Sequence, residues 1–533
     1  MRRTLFLLTA PALIAATGPL NPAEIAATVG AKPDQPGCAV AIVADGKTAF
    51  AAGYGLADLQ TKRAITPDTT FNIASMTKQF TAMAIALLIA DGKLSEQDDI
   101  RGYFPELRDY GTPIRVANLL NHSSGLRNHM ALAAFQPGDD HLPTHQEALA
   151  LVFRQSALNF TPGTRHQYES PNYVLLAELV SRVSGQRYEH FLASRIFKPL
   201  GMTSTAFESP SLARAYAPAK DGGWRLQEKV NSARGSSGLL SSAHDFALWM
   251  TNYDRLSVGG RAAFERMLST SKLADGSPVS YRYGLVKEFD YGGVRGLTRI
   301  SHGGQTAAYR SAFSFFPGHG LGDVVMCDYT ADAHAIDLEL VAKLVGKPAP
   351  AKRSATAPAP ARLPAALAGI YYSTADDDIR HFVVKDGGLA LDIYGEQLPL
   401  AWRGGRRFGL EGQGEFDFSN SGVTDRSTDE AVLRFDRLPP APKQHLAQFA
   451  GTYRSPDVDG VVKVAPKGGK LILTYPSGEA QLTAIGRDRF SGQAFDFNSV
   501  RFLRGSDGRI KGLTLSVSSG ITRMRFQRTA AAQ

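Results

Sequence analysis

Phe71-Asn72-Ile73-Ala74-Ser75-Met76-Thr77-Lys78-Gln79-Phe80 runs directly into Thr81-Ala82-Met83-Ala84-Ile85-Ala86-Leu87-Leu88-Ile89, an apolar helical stretch closed by Asp91-Gly92. A helix starting near Ala74 puts Ser75 and Lys78, three apart, on one face. It also puts the hydroxyl and the amine at a helix N-terminus, where backbone N–H groups favour developing negative charge. A serine nucleophile needs a base beside it, and a lysine serves once burial lowers its pKa. Ser75-x-x-Lys78 is therefore a compact nucleophile-plus-base device. The same spacing recurs at Ser269-Thr270-Ser271-Lys272, at the polar end of another helical segment, without an apolar helix behind it. That copy reads as coincidence.

At 533 residues the chain exceeds one ordinary domain, and 43% hydrophobic with 20% charged residues describes a soluble globular protein. Its 59 Lys+Arg against 50 Asp+Glu give +9, which becomes +7 without Arg2 and Arg3. These charges are dispersed, with no basic run of the kind that marks a nucleic-acid partner. Met1-Arg2-Arg3, the apolar run Thr4–Ala16 and small residues to Gly18 form the pattern of a secretory signal over residues 1–20. A secreted or periplasmic hydrolase with no integral membrane span is the expectation, since no later segment is long and apolar enough to cross a bilayer. The two cysteines, Cys38 and Cys327, lie in strand-like runs and read as small buried hydrophobes. A bridge in an oxidising compartment stays open if those strands are neighbours.

Working outward from the Ser75 stretch, Cys38–Val43 and Thr48–Gly55 around Asp45-Gly46 read as a hairpin. Helical patterns follow at Leu94–Asp99, Ile114–Leu120, Val174–Val180, Tyr188–Phe197 and Ala243–Tyr253. Strands return at Leu297–His302, Tyr309–Phe316 and Val324–Tyr329, and a helix at Ala335–Val345 closes the region. The order predicts an α+β domain over 21–346: a sheet completed by both ends of the region, with an inserted helical lobe and a cleft between them.

A Pro/Ala linker over 347–364 follows, then short alternating strands. Leu367-Ala368-Gly369-Ile370-Tyr371-Tyr372-Ser373 recurs as Phe449-Ala450-Gly451-Thr452-Tyr453-Arg454-Ser455, Arg407-Phe408 as Arg489-Phe490, and Glu415–Phe418 as Ala494–Phe497. Leu438-Pro439-Pro440-Ala441-Pro442 opens a second linker, 438–445, between the copies. Two similar antiparallel β-barrels, 365–437 and 446–533, are predicted.

Three elements now stand in order: Ser75-x-x-Lys78, Tyr168-Glu169-Ser170 and His302-Gly303-Gly304. Together they resemble the penicillin-recognising serine hydrolases, the family of class C β-lactamases, DD-peptidases, related esterases and D-aminopeptidases. Asn121-His122-Ser123-Ser124-Gly125-Leu126, Pro162-Gly163, Leu200-Gly201-Met202 and Ser237–Ser242 frame the resemblance, which covers Gly37 to Val345. It implies a β-lactamase/transpeptidase-like fold and an acyl-enzyme mechanism that needs no cofactor. Ser75 is then the nucleophile, Lys78 the general base, Tyr168 the general acid/base and His302 the third-motif residue in the substrate and proton network. The backbone N–H groups of Ser75 and Gln305 form the implied oxyanion hole, and Ser170, Gly303 and Gly304 contact substrate. In that family the strands carrying Cys38 and Cys327 lie side by side. His141 and His145 have metal-like spacing, but Pro143 lies between them and no third ligand is apparent.

The family usually has asparagine where Ser170 stands, and serine lacks an amide's reach and its paired donor and acceptor. Histidine in the third motif attracts a substrate carboxylate less than lysine does, which disfavours penicillins and peptides with a free C-terminal carboxylate. A catalytic domain followed by two barrels looks most like the D-aminopeptidases, in which a loop of the last barrel narrows the active site. Gly468-Gly469 and Ser518-Ser519-Gly520 are the candidate loops here. The expected partner is a small D-amino-acid peptide, amide or ester, with monomer and homodimer both open. A β-lactamase or carboxylesterase on the same machinery, and a penicillin-binding or wall-binding protein with little turnover, are the alternatives.

Overall fold

The computed structural model describes residues 21–138, 142–227, 233–346, 359–393, 396–410, 414–426, 432–492 and 497–529. The expected signal segment, His141, most of the first linker and the Ala494–Asp496 arm of the repeat lie outside the described residues.

The central sheet is built from β1 (Cys38–Ala44), β2 (Lys47–Tyr54), β3 (Tyr281–Arg282), β4 (Leu285–Glu288), β5 (Arg299–Thr306), β6 (Tyr309–Phe316) and β7 (Leu321–Cys327). Its order is β3-β4-β5-β6-β7-β1-β2, antiparallel throughout, so β1 and β2 complete a sheet whose other strands arrive some 230 residues later. β1 is apolar throughout and buried at every position but its last because both faces are covered. Ala39, Ala41 and Val43 face the helical lobe, while Cys38, Val40 and Ile42 face α1 (Pro22–Val29) and the closing helix α5 (Ala333–Val345).

Within the lobe, α2 (Lys78–Ala90) is buried on every face from Lys78 to Leu88 and, past the polar Lys78, Gln79 and Thr81 of its first turn, apolar all round. That is the signature of a helix at the centre of a core. It packs against α3 (Ser170–Ser184), while α4 (Ala243–Arg255) lies on β1 and β2. Instead of starting a regular helix at Ala74, the chain makes a 3₁₀ turn over Ala74–Thr77 and enters α2 at Lys78. The expected helix over Leu94–Asp99 is a polar turn: the Ser95 N–H donates to Asp98 Oδ2 and the Gln97 N–H to Ser95 Oγ. Side chains that satisfy the backbone locally remove the incentive for a helix.

Cys38 and Cys327 are direct cross-strand partners of β1 and β7 and form a disulfide. The reading of both as small buried hydrophobes gives way to the bridge that the sequence had left open; the register, invisible in the sequence, decided it.

Beyond the linker, nine strands between Gly369 and Arg437 form a nearly closed sheet. Its edges, Glu396–Pro399 and Ala401–Gly404, are consecutive in the chain but not paired. The second copy, Gly451–Arg528, is a closed eight-stranded barrel. The repeat is visible in detail: Tyr371 Oη donates to Leu367 O at 2.8 Å and Tyr453 Oη to Phe449 O at 2.7 Å. Ala131, Leu132, Phe135 and Leu151 of the first region pack into the hydrophobic core of this barrel. Beside them Arg127 and Asp457, 2% and 1% exposed, form an ion pair at 2.7 Å. Burial of both charges ties the barrel rigidly to the lobe, since separating them would leave each unpaired.

Candidate active site

The strand Thr70–Asn72 delivers the chain to Ala74, whose φ of +47° is a left-handed conformation uncommon outside glycine. Asn72 holds the bend by accepting the Ala74 N–H on Oδ1 at 3.0 Å. Ser75 thus emerges on a sharp turn at the head of α2.

Lys78 is fully buried beneath it. Its Nζ donates to Ser75 Oγ at 3.1 Å and to the Ser236 carbonyl at 2.8 Å. Burial pulls its pKa down to about 7. Near neutrality a large share of Lys78 is therefore the free amine, able to accept the serine proton.

Tyr168 lies over this pair, with Lys78 Nζ 4.9 Å from its ring centroid. Its hydroxyl interacts with Ser75 and with Tyr281. Although 39% of the residue is exposed, crowding around the hydroxyl raises its pKa, so it stands as a neutral phenol able to donate. Its ring packs on His122 at 4.4 Å between centroids. His122 Nδ1 accepts the Glu169 N–H at 3.1 Å and fixes the turn that carries Tyr168.

His302 is buried on β5, with burial lowering its pKa to about 3. Nδ1 lies 2.6 Å from the Gly303 carbonyl, which only accepts, so Nδ1 carries the proton. Nε2 is then a bare acceptor for the Tyr281 hydroxyl at 3.0 Å. Both ring nitrogens are engaged within the protein.

Gly304 has no room for a side chain: a Cβ there would meet the Ile73 carbonyl at 2.2 Å and Ser311 Oγ at 2.4 Å. This contact presses β5 against the turn that carries Ser75. A two-residue hairpin joins Thr306 to Tyr309, and the pair closing such a hairpin is the hydrogen-bonded one. Gln305 and Arg310 are then a non-hydrogen-bonded pair, so the Gln305 N–H turns away from β6. Among the described residues β4 pairs with β5 at Arg299–Ser301 and stops short of Gln305.

Ser75, Tyr168, His302, Gly303, Gly304 and Gln305 line one groove of about 540 Å³, with Lys78 behind it. Ser170 opens α3 and does not line that groove, contrary to its expected place beside the substrate. Of the candidate loops, Gly469 has nothing within 4 Å of a notional Cβ, whereas one at Gly520 would lie 2.0 Å from Glu169 Oε1. The Gly520 carbonyl accepts from Asn128 N and Asn159 Nδ2, each at 3.0 Å. The Ser518–Gly520 turn is thus seated against the residue after Tyr168. Among the described residues no cluster of three or more His, Cys, Asp or Glu side chains could hold a metal. His145 instead stands 3.7 Å from Glu178.

Sequence reasoning missed Tyr281 and gave His122 no part in the site. The one signal was the aromatic run Tyr281-Arg282-Tyr283 before Gly284.

The sequence matches the Beta-lactamase family over residues 24–347. A D-aminopeptidase of Brucella canis is 29% identical over 335 residues, which are 60% of this chain and 61% of that protein; the chain thus matches less than two thirds of that relative's length. A D-aminopeptidase of Brucella anthropi is 25% identical over 464 residues, 81% of this chain and 82% of that protein. Among solved structures, an octameric penicillin-binding protein homologue from Pyrococcus abyssi has a TM-score of 0.54 at 23% identity. It covers 86% of this chain and 97% of its own, a likeness of fold that reaches into the barrels.

Proposed function

Because the chain belongs to the Beta-lactamase family, we propose that it is a serine hydrolase working through an acyl-enzyme on Ser75, and that its substrates are short D-amino-acid peptides, amides or esters. The observation that carries this reading is the 3.1 Å contact between Ser75 Oγ and a buried Lys78 whose pKa is about 7. Free Lys78 takes the serine proton as Oγ attacks the substrate carbonyl. The oxyanion then faces the N–H groups of Ser75 and Gln305, each such donor lowering the barrier by about 3 kcal/mol. Tyr168, held protonated by its surroundings, donates to the leaving amine or alkoxide, and is reprotonated by the proton that Lys78 took from Ser75. Water attacks the acyl-enzyme by the reverse path.

The choice of D-amino-acid substrates rests on the two Brucella D-aminopeptidases and on the Ser518–Gly520 turn seated beside Glu169. Export is part of the same proposal. It rests on the pattern of residues 1–20 and on the Cys38–Cys327 bridge, which persists in oxidising compartments.

The test is intact mass and chromophore release after incubation with D- or L-alanine p-nitroanilide and, separately, with a fluorescent penicillin. Release from the D-amide in preference to the L-amide, abolished by Ser75→Ala, is the expected result. A lasting penicillin adduct on Ser75 with no amide turnover would replace this reading with that of a penicillin-binding protein.

A further inference from the structure

The groove that holds Ser75 also contains a cation that the acylation chemistry does not use. Arg310 stands on β6 opposite Gln305, and both line the same groove of about 540 Å³. Side chains of a non-hydrogen-bonded cross-strand pair lie on one face and close together, so the guanidinium is a neighbour of the residue whose N–H serves the oxyanion. Nη1 donates to the carbonyls of Ala307 at 2.9 Å and Tyr309 at 2.8 Å, which anchors the group. Among the described residues no carboxylate pairs with it, and burial is what lowers its pKa. Asp332, which also lines the groove, is occupied as the cap of α5, accepting the Ala335 N–H at 3.0 Å. An anchored, partly buried guanidinium with Nε and Nη2 left over is matched by a planar acid group.

We propose that Arg310 is a specificity-determining residue that selects substrates bearing a carboxylate, an inference that rests on the reading of Ser75 as the nucleophile. This reverses the expectation drawn from the third motif. His302 is neutral and internally bonded, so it offers a substrate acid nothing, and the cation for that task stands one strand over. Two sources of the carboxylate fit: the free C-terminus of a peptide leaving group, and the side chain of an acidic D-residue on the acyl side.

Two matched substrate pairs distinguish them: D-alanyl-D-alanine against its C-terminal amide, and D-glutamic acid α-p-nitroanilide against D-glutamine p-nitroanilide. The readout is the ratio of kcat/KM for acid over amide within each pair, for the wild type, Arg310→Gln and Arg310→Lys. The wild type is expected to favour the acid in at least one pair, and Arg310→Gln to cut that ratio by about tenfold through KM. Arg310→Lys, which keeps the charge but not the fork, is expected to fall between. The pair that responds identifies the source. A wild-type ratio at or below one in both pairs, or a fall of less than threefold in both with Arg310→Gln, overturns the inference. Absence of any amide turnover by the wild type overturns the Ser75 reading and this inference with it, whereas amide turnover without preference for the acid overturns this inference alone.

Discussion

The Tyr281 hydroxyl lies 3.0 Å from Nε2 of His302, whose Nδ1 proton is committed to the Gly303 carbonyl. Tyr281 thereby fixes the tautomer and the ring plane of His302, and its own hydroxyl also interacts with Tyr168. Tyr281→Phe leaves a buried imidazole acceptor without its donor, a loss of about 1–3 kcal/mol. We expect the melting temperature to drop by the few degrees that such a loss brings and kcat/KM to fall about tenfold. A simple packing role predicts the drop in melting temperature without the tenfold loss of kcat/KM, so the pair of measurements separates positioning from structure.

Acylation needs Lys78 as the free amine, and its pKa stands at about 7 rather than at the ordinary lysine value. Activity therefore rises with pH through 7 and falls about tenfold per unit below it. Tyr168 is shifted upward and stays protonated through the mildly alkaline range, so no descending limb follows there. A profile of kcat/KM for a neutral D-amide between pH 5 and about 9 checks the sign. A rise centred near the ordinary lysine pKa would contradict the burial of the amine. Lys78→Arg, charged at all these pH values, should show no activity above that of Ser75→Ala.

Glycine is demanded at Gly304 and not at Gly303. A Cβ at Gly304 would meet the Ile73 carbonyl at 2.2 Å, while one at Gly303 would have its nearest contact at 3.7 Å. Gly304→Ala should push β5 off the Ser75 turn, lower stability by about 1–3 kcal/mol and abolish acylation. Gly303→Ala should fold with normal stability. Denaturant titration of both variants measures the difference.

A methyl at Gly520 would collide with Glu169 Oε1, and φ there is +103°. Gly520→Ala should therefore reduce amide hydrolysis from a position in the last barrel, by displacing the Glu169 turn that carries Tyr168. Gly469→Ala, at a turn with open space around it, pays only the backbone cost of its positive φ and should keep wild-type kinetics.

The Cys38–Cys327 bridge closes a loop of 289 residues, and removing such a link costs about 2–5 kcal/mol in the chain-entropy account. Cys38→Ser with Cys327→Ser should lower the melting temperature relative to the oxidised wild type. Reductant should then shift the wild type and leave the double variant where it is.

Much was legible in the chain itself. Ser75 and Lys78 were visible because their chemistry is local: three residues on one helical turn bring hydroxyl and amine together wherever the helix sits. The 82-position repeat from Tyr371 to Tyr453 announced two related β-structures, and both tyrosines make the same bond four residues back. The return of strands at Leu297–His302, Tyr309–Phe316 and Val324–Tyr329 foretold a sheet completed from both ends of the first region, because apolar strand runs must find partners.

What the tertiary structure alone decided involves residues that meet across long stretches of chain. Cys38 and Cys327 bond because β1 and β7 pair in one register; a slip of one residue would turn either thiol to the other face. Tyr281 and His302 meet because β3, β4 and β5 are adjacent in the sheet, and the carboxylate-seeking guanidinium of Arg310 stands beside Gln305 because one hairpin pairs them. Gly520 touches Glu169 across 351 residues because Phe135 and Arg127 anchor the last barrel to the lobe. Sequence spacing sets what neighbouring residues on one element do together. Register and docking, which sum many weak contacts over distant segments, set everything else.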